Sequence, residues 1–186
     1  FPTRRSSDLG EVMAGRRVVV IGGSYIGCLT AQYLAREGAM SPDELFFSEI
    51  YQADTPEHIR ERLNHPDRQV VLLEQGKKIG FGFESGPSWP VLGDLNRLGV
   101  PFKKLAKVTE IGPEGVRAEE TGKDGSVNAR FYPCDCVVVA SGVHPECPLY
   151  DELAGSGIPV IKIGNADRLG KAIDAIRAGC EAAASL

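Results

Sequence analysis

A chain of 186 residues, 42% hydrophobic and 25% charged, has the make-up of a soluble globular protein of one domain or slightly more, which excludes wholesale disorder. Its net charge of −4 gives no electrostatic reason to expect nucleic acid or an anionic membrane as partner, and no apolar run approaches the roughly 18 to 20 residues that span a bilayer. Five cysteines, at positions 28, 134, 136, 147 and 180, form no repeated C-x-x-C pattern, which argues for reduced thiols in a cytoplasmic protein and against a disulfide framework or a metal site.

Phe1-Pro-Thr-Arg-Arg-Ser-Ser-Asp-Leu9 has no helical or strand period and no signal-peptide h-region, and it looks like a translated sequencing-adapter tract. Residues 1–14 are therefore expected to be a tail outside the fold, standing where a native N-terminal segment is missing. Four β-branched residues, Val18 to Ile21, then read as a buried parallel strand, and Gly22-Gly23-Ser24-Tyr25-Ile26-Gly27 as the turn into a helix that runs on from Cys28. In the G-x-G-x-x-G pattern of dinucleotide sites Gly22 makes the tight turn and Gly27 lets the helix pack on the strand. Ser24 takes the middle position, where the backbone meets the pyrophosphate. The alternatives are a tight βα turn without a ligand and a nucleoside methyl-donor site.

An acid is expected about 20 residues past this turn, to bind the adenosine ribose hydroxyls. The candidate is Glu74, closing Gln69-Val-Val-Leu-Leu-Glu74, but it lies 52 residues after Gly22, so an insert over residues 39–69 is predicted. Ser41-Pro42-Asp43-Glu44 and Thr55-Pro56-Glu57-His58 each open like a helix, and His65-Pro66 ends the second one. Leu45, Phe46, Phe47, Ile50 and Tyr51 form an apolar face expected to pack on its own domain. A carboxylate at Glu74 favours NAD over NADP, with Lys77 and Lys78 partly offsetting its repulsion of a 2′-phosphate.

Ile79 to Pro90, with its glycines, prolines and aromatics, reads as a loop; Val91 to Leu98 reads as a helix capped by Gly99, and Val100-Pro-Phe as the start of a short strand. Three alternating segments, Leu105–Ile111, Gly115–Glu120 and Arg130–Tyr132, predict an antiparallel meander covering one face of the parallel sheet. Cys136 to Ala140 reads as another buried strand, ending at Ser141-Gly142, where a cofactor could approach the backbone closely. Cys134 and Cys136 are read as small residues opening that strand, and His144 as a loop residue. Ile158 to Ile163 is expected to be a strand leading to a turn at Gly164-Asn165-Ala166, followed by an alanine-rich amphipathic helix. That turn and helix start would face a phosphate or ribityl group, as half of a second site.

The order of these motifs resembles two-dinucleotide flavoprotein reductases. It is most similar to the C-terminal part of NADH:flavin oxidoreductases of the 2,4-dienoyl-CoA reductase and trimethylamine dehydrogenase type. The residues that carry the likeness are Val18 to Gly27, the acid-tipped strand at Glu74, Cys134 to Pro145, Gly164 to Ala166 and the inserted Ser41 to Phe47. The resemblance implies an α/β fold. A Rossmann-like parallel sheet with the meander and the two-helix insert forms an NAD(P)-binding domain over residues 15–143. Residues 144–186 supply the C-terminal strand and helix of a split FAD domain. It also implies that FAD is shared with missing segments, and that FMN, an iron–sulfur cluster and the small-molecule substrate belong to a missing N-terminal part. The full-length parent could be a homo-oligomer. Asn165 stands where the family usually has aspartate, and Ser24 where it usually has glycine.

On this reading the chain positions NADH for hydride transfer to FAD, contains no catalytic residue of its own and is inactive alone. Two rival functions are a non-catalytic dinucleotide-binding module and a nucleoside methyl donor-dependent transferase.

Overall fold

Val18, Val19 and Val20 are each at most 1% exposed. Four consecutive β-branched residues suit a strand covered on both faces, and they form the centre of strand β1 (Arg17–Ile21). This is a computed structural model, and it describes residues 14–37, 39–64, 67–82, 88–153 and 155–185. The tail expected over residues 1–14, save Ala14, and the helix stop at His65-Pro66 lie outside them. No described helix is long and apolar enough to cross a membrane. The chain divides into two compact units, Phe1–Ser141 and Gly142–Leu186.

In the first unit β1 is followed by helix α1 (Tyr25–Arg36), the two insert helices α2 (Pro42–Ile50) and α3 (Pro56–Asn64), strand β2 (Gln69–Glu74), helix α4 (Trp89–Arg97), and strands β3 (Phe102–Lys104), β4 (Ala106–Gly112), β5 (Gly115–Thr121), β6 (Val127–Pro133) and β7 (Cys136–Val139). One sheet has the order β3-β2-β1-β7, with every neighbouring pair parallel. The meander β4-β5-β6 forms a second, antiparallel sheet. The α/β class, the parallel sheet and the meander are as the sequence predicts.

Alternation along the strands divides the core in two. Val18, Val20, Leu72 and Val138 face α1 and α4, where they meet Cys28, Ala31, Leu34, Leu95 and Leu98. Val19, Leu73 and Val137 face the meander, where they meet Ala106, Val116 and Ala118. The parallel sheet is therefore the middle of three layers.

The insert leaves this order intact, since β2 lies directly beside β1. Ser41 and Glu44 form a capping box: the Ser41 hydroxyl accepts from Glu44 N–H at 3.2 Å, and the Glu44 carboxylate accepts from Ser41 N–H at 2.7 Å. Thr55 caps α3 by accepting from His58 N–H at 3.3 Å.

Three expectations are corrected. The apolar face of the insert does not pack on its own domain: Phe46, Phe47, Ile50 and Tyr51 are 54 to 68% exposed. In α2 only Ser48 is buried, and Phe46 and Ile50 lie about 160° around the helix from it. Trp89 does not lie in a loop but opens α4, and it is 73% exposed. The C-terminal strand expected over residues 158–163 is not formed either. In the second unit the elements are helix α5 (Pro148–Leu153), a 3-10 turn (Gly164–Ala166) and helix α6 (Ala172–Ala184), and residues 158–163 form no strand. A strand is defined by its partner, and these residues have none among the described residues. Ile158, Ile161 and Ile163 are correspondingly 43 to 66% exposed.

Candidate functional site

The C-terminal edge of the parallel sheet gathers the Gly-rich turn, Glu74 and the end of β7. Gly22 has φ +111°, and a Cβ placed on it would lie 2.4 Å from Ala140 O and 2.9 Å from Ser141 N. Only glycine combines that backbone angle with that approach. A Cβ on Gly27 would fall 1.8 Å from Gly22 O, so the first turn of α1 can close on the strand end only without a side chain. These are the two roles that the spacing predicts.

Around the turn, several backbone donors already have acceptors. Gly22 N–H donates to Leu73 O at 2.8 Å, Gly23 N–H to the Glu74 carboxylate at 2.6 Å, and Tyr25 N–H to Phe81 O at 2.8 Å. The N–H groups of Ser24, Ile26 and Gly27 have no acceptor among the described residues. They cluster at the N-terminus of a twelve-residue helix, where the macrodipole adds partial positive charge, and so form a cradle for a diphosphate. Ser24 makes no capping hydrogen bond, which leaves its hydroxyl to join them.

Glu74 ends β2 directly beside this turn. One carboxylate oxygen accepts from Gly23 N–H and the other from Gly76 N–H at 2.5 Å. The carboxylate is thus clamped between the glycine turn and the loop after its own strand. A short strap, unforeseen from the sequence, runs alongside: Gly80 N–H donates to Gly23 O at 2.7 Å, and Ser24 and Phe81 form a parallel bridge. Three glycines in Ile79–Pro90 suggest a loop, but nothing in their spacing indicates that it pairs with the turn. Residues 83–87 of that segment lie outside the described residues.

Gly22, Gly23, Ser24, Tyr25, Ile26, Gly27, Glu74 and Ser141 all belong to the first unit. Gly142, Gly164, Asn165 and Ala166 belong to the second, where Gly164, Asn165 and Ala166 form the 3-10 turn. There the Asn165 carboxamide oxygen accepts from Gly170 N–H at 3.1 Å, which leaves its NH2 group as a donor, and Lys171 N–H donates to Asp174 at the start of α6. His144 is exposed and outside any helix or strand.

Cys28 and Cys134 are buried and Cys136 is half-buried. Burial pushes Cys28, in contact with Gly23 O, up to about 11 and raises Cys134 and Cys136 as well. Asp135, between the last two, clamps Arg17 through its backbone N–H and guanidinium, tying the start of β7 to β1. The Asp135 carboxyl is held below the usual range by the Arg17 side-chain hydrogen bonds. Among the described residues no group of His, Cys, Asp and Glu could hold a metal ion.

A family profile described as pyridine nucleotide-disulphide oxidoreductase matches residues 4–167. The chain is 31% identical over 169 residues to a metal reductase of Desulforamulus reducens, covering 90% of this chain and 24% of that protein. It is 31% identical over 181 residues to an NADH oxidase of Thermoanaerobacter brockii, covering 93% and 23%. Histamine dehydrogenase from Rhizobium sp. 4-9 shares the fold at a TM-score of 0.66 and 19% identity, over 99% of this chain and 26% of that one. The chain therefore spans about a quarter of the length of the curated relatives it matches.

Proposed function

The chain belongs to the pyridine nucleotide-disulphide oxidoreductase family, and from that premise we propose that it is the NAD(P)H-binding portion of a flavin-dependent oxidoreductase of the 2,4-dienoyl-CoA reductase and trimethylamine dehydrogenase type. The observation that carries this reading is the cradle at Gly22–Gly27. It joins two positions that exclude a side chain, three N–H groups at a helix start with no acceptor among the described residues, and a carboxylate held at the adjacent strand end.

NAD(P)H, when bound, supplies a hydride for transfer to flavin. The work of this chain is binding and orientation. Ser24, Ile26 and Gly27 hold the diphosphate through backbone N–H groups, and Glu74 offers its remaining lone pairs to the adenosine ribose. Ser141, whose backbone N lies beside Gly22, marks the sheet end assigned to the nicotinamide. FAD fits the second unit in part: the Asn165 NH2 group has no acceptor among the described residues, and α6 presents its N-terminus. Among the described residues no side chain around the turn is placed as an acid, base or nucleophile, and the chain alone is expected not to turn over NADH with an artificial acceptor.

Nucleotide binding is tested by titrating the chain with NADH and following the reduced nicotinamide fluorescence, in wild type and Ser24→Asp. A carboxylate at position 24 faces the diphosphate, so affinity should fall about tenfold or more with the circular dichroism spectrum unchanged. Equal affinity in both proteins would remove the cradle from the reading.

A further inference from the structure

We propose that strand β6 is a self-association surface: a second copy of this chain adds its own β6 in antiparallel register about Ala129, joining the two meanders into one six-stranded sheet.

A sheet edge presents unpaired N–H and C=O groups, and soluble proteins blunt such edges with short strands, bulges or charge. Among the described residues three of the four edges are blunted in this way. β3 and β7, which end the parallel sheet, have three and four residues, and β4, at one end of the meander, has a register shift between Val108 and Glu110. β6 is different. Its seven residues pair with β5 in unbroken register, all but Tyr132 are exposed, and Arg130 is its one charged residue.

The pairing with β5 decides which groups point outward. Gly122 N–H donates to Ser126 O at 2.7 Å at one end of the ladder, and Cys134 N–H donates to Glu114 O at 3.3 Å at the other. The even-numbered residues of β6 therefore exchange hydrogen bonds with β5, and the N–H and C=O groups of Val127, Ala129 and Phe131 point to the free edge. The side chains of these three share one face, opposite to that of Tyr132, which packs on the core beneath the meander. Val127 is 61% and Phe131 46% exposed.

An incoming antiparallel β6 uses those groups only where odd-numbered residues meet odd-numbered ones. Centred on Ala129, the register sets Val127 opposite Phe131 of the second copy, Ala129 opposite Ala129, and Asn128 opposite Arg130. Each exposed apolar residue gains an apolar partner and each guanidinium meets an amide. Centring on Arg130 would set two like charges directly opposite and bring Pro133, which has no N–H, against Val127. Centring on Asn128 would leave Phe131 opposite the hairpin turn at Gly125. The Ala129 register closes as a two-fold dimer, with the same strand supplied by both copies. A ladder this short buries less than the roughly 1,200 Å² of a stable interface, so the dimer is a weak one.

The test is sedimentation equilibrium of the full 186-residue chain in wild type, Ala129→Pro and Ala129→Lys, with circular dichroism as the folding control. Between about 10 μM and about 1 mM, the range of a weak complex, the wild-type mass should rise from that of a 20.0 kDa monomer toward twice that value. Over the same range hydrogen exchange should slow with concentration at the amides of Val127, Ala129 and Phe131. Ala129→Pro removes the central outward N–H from both strands and leaves the ladder to β5 intact, so it should weaken association about tenfold or more. If that variant does not fold, Ala129→Lys, which sets two ammonium groups opposite each other on exposed side chains, should weaken it about fivefold or more. A wild type that stays monomeric over the whole range overturns the proposal. So does a dimer undiminished in the folded variants, which would place the interface elsewhere, as on the exposed stripe of α2.

Discussion

At Gly27 the strand end and the helix start leave no space at all, since a Cβ there would lie 1.8 Å from Gly22 O. Gly27→Val must therefore move either the turn or α1. We expect it to destabilise the chain by at least about 1 to 3 kcal/mol, measured by urea denaturation, and to abolish NADH binding in the same sample. Retained binding at wild-type affinity would mean that the turn tolerates a displaced helix. This residue is legible in the sequence because a local pattern of strand, glycines and helix specifies it. Glu74 is legible only in kind: its residue type and strand-end position can be read, but its two backbone donors depend on how the turn and the loop at Gly76 fold around it.

Between elements, α1 and α4 are joined by one carboxylate. Asp94 accepts from Gln32 at 2.9 Å, from Arg36 at 2.8 Å and from Arg97 at 3.1 and 2.5 Å, with its side chain 13% exposed. Burial alone raises the Asp94 carboxyl, but hydrogen bonds from Arg97, Gln32 and Arg36 outweigh it and hold the group below the usual range. Its folded-state value thus lies below its unfolded value, so its contribution is full above the ordinary carboxylate range and is lost as pH falls through the folded value. Asp94→Asn should cost about 1 to 3 kcal/mol at pH 7 and flatten the acid limb of the stability curve, as followed by urea melts between pH 7 and pH 3. An unchanged pH dependence would show that the three donors contribute nothing net. The insert caps and the meander can be read from sequence because Ser41–Glu44 and the alternation of β4 to β6 are local. Residues 158–163 mislead for the opposite reason: their apolar character suits a strand, but a strand also needs a partner. The stripe Phe46, Phe47, Ile50 and Tyr51 misleads likewise, because a helix pattern identifies an apolar face without saying whether anything covers it.

Across the whole chain, the two units differ in how much they bury. The first contains both core clusters, whereas none of the described residues of the second, from Gly142 onward, is buried, and Ile173 and Ile176 of α6 are 55 and 62% exposed. Few buried contacts mean low local opening energies, so amides of α6 should exchange hydrogen much faster than those of β1. Native-state hydrogen exchange measures this directly, and equal protection in both would contradict the contrast. The chain belongs to the pyridine nucleotide-disulphide oxidoreductase family and spans about a quarter of the length of its curated relatives. The N–H groups at the start of α1 are proposed to hold the diphosphate of NAD(P)H. The most direct measurement is an amide-resolved NMR titration of the 186-residue chain with NADH. Saturable shifts are expected to be largest at Ser24, Ile26 and Gly27, with smaller ones at Glu74 and Gly76. Saturable shifts centred elsewhere, with these amides unmoved, would contradict that role.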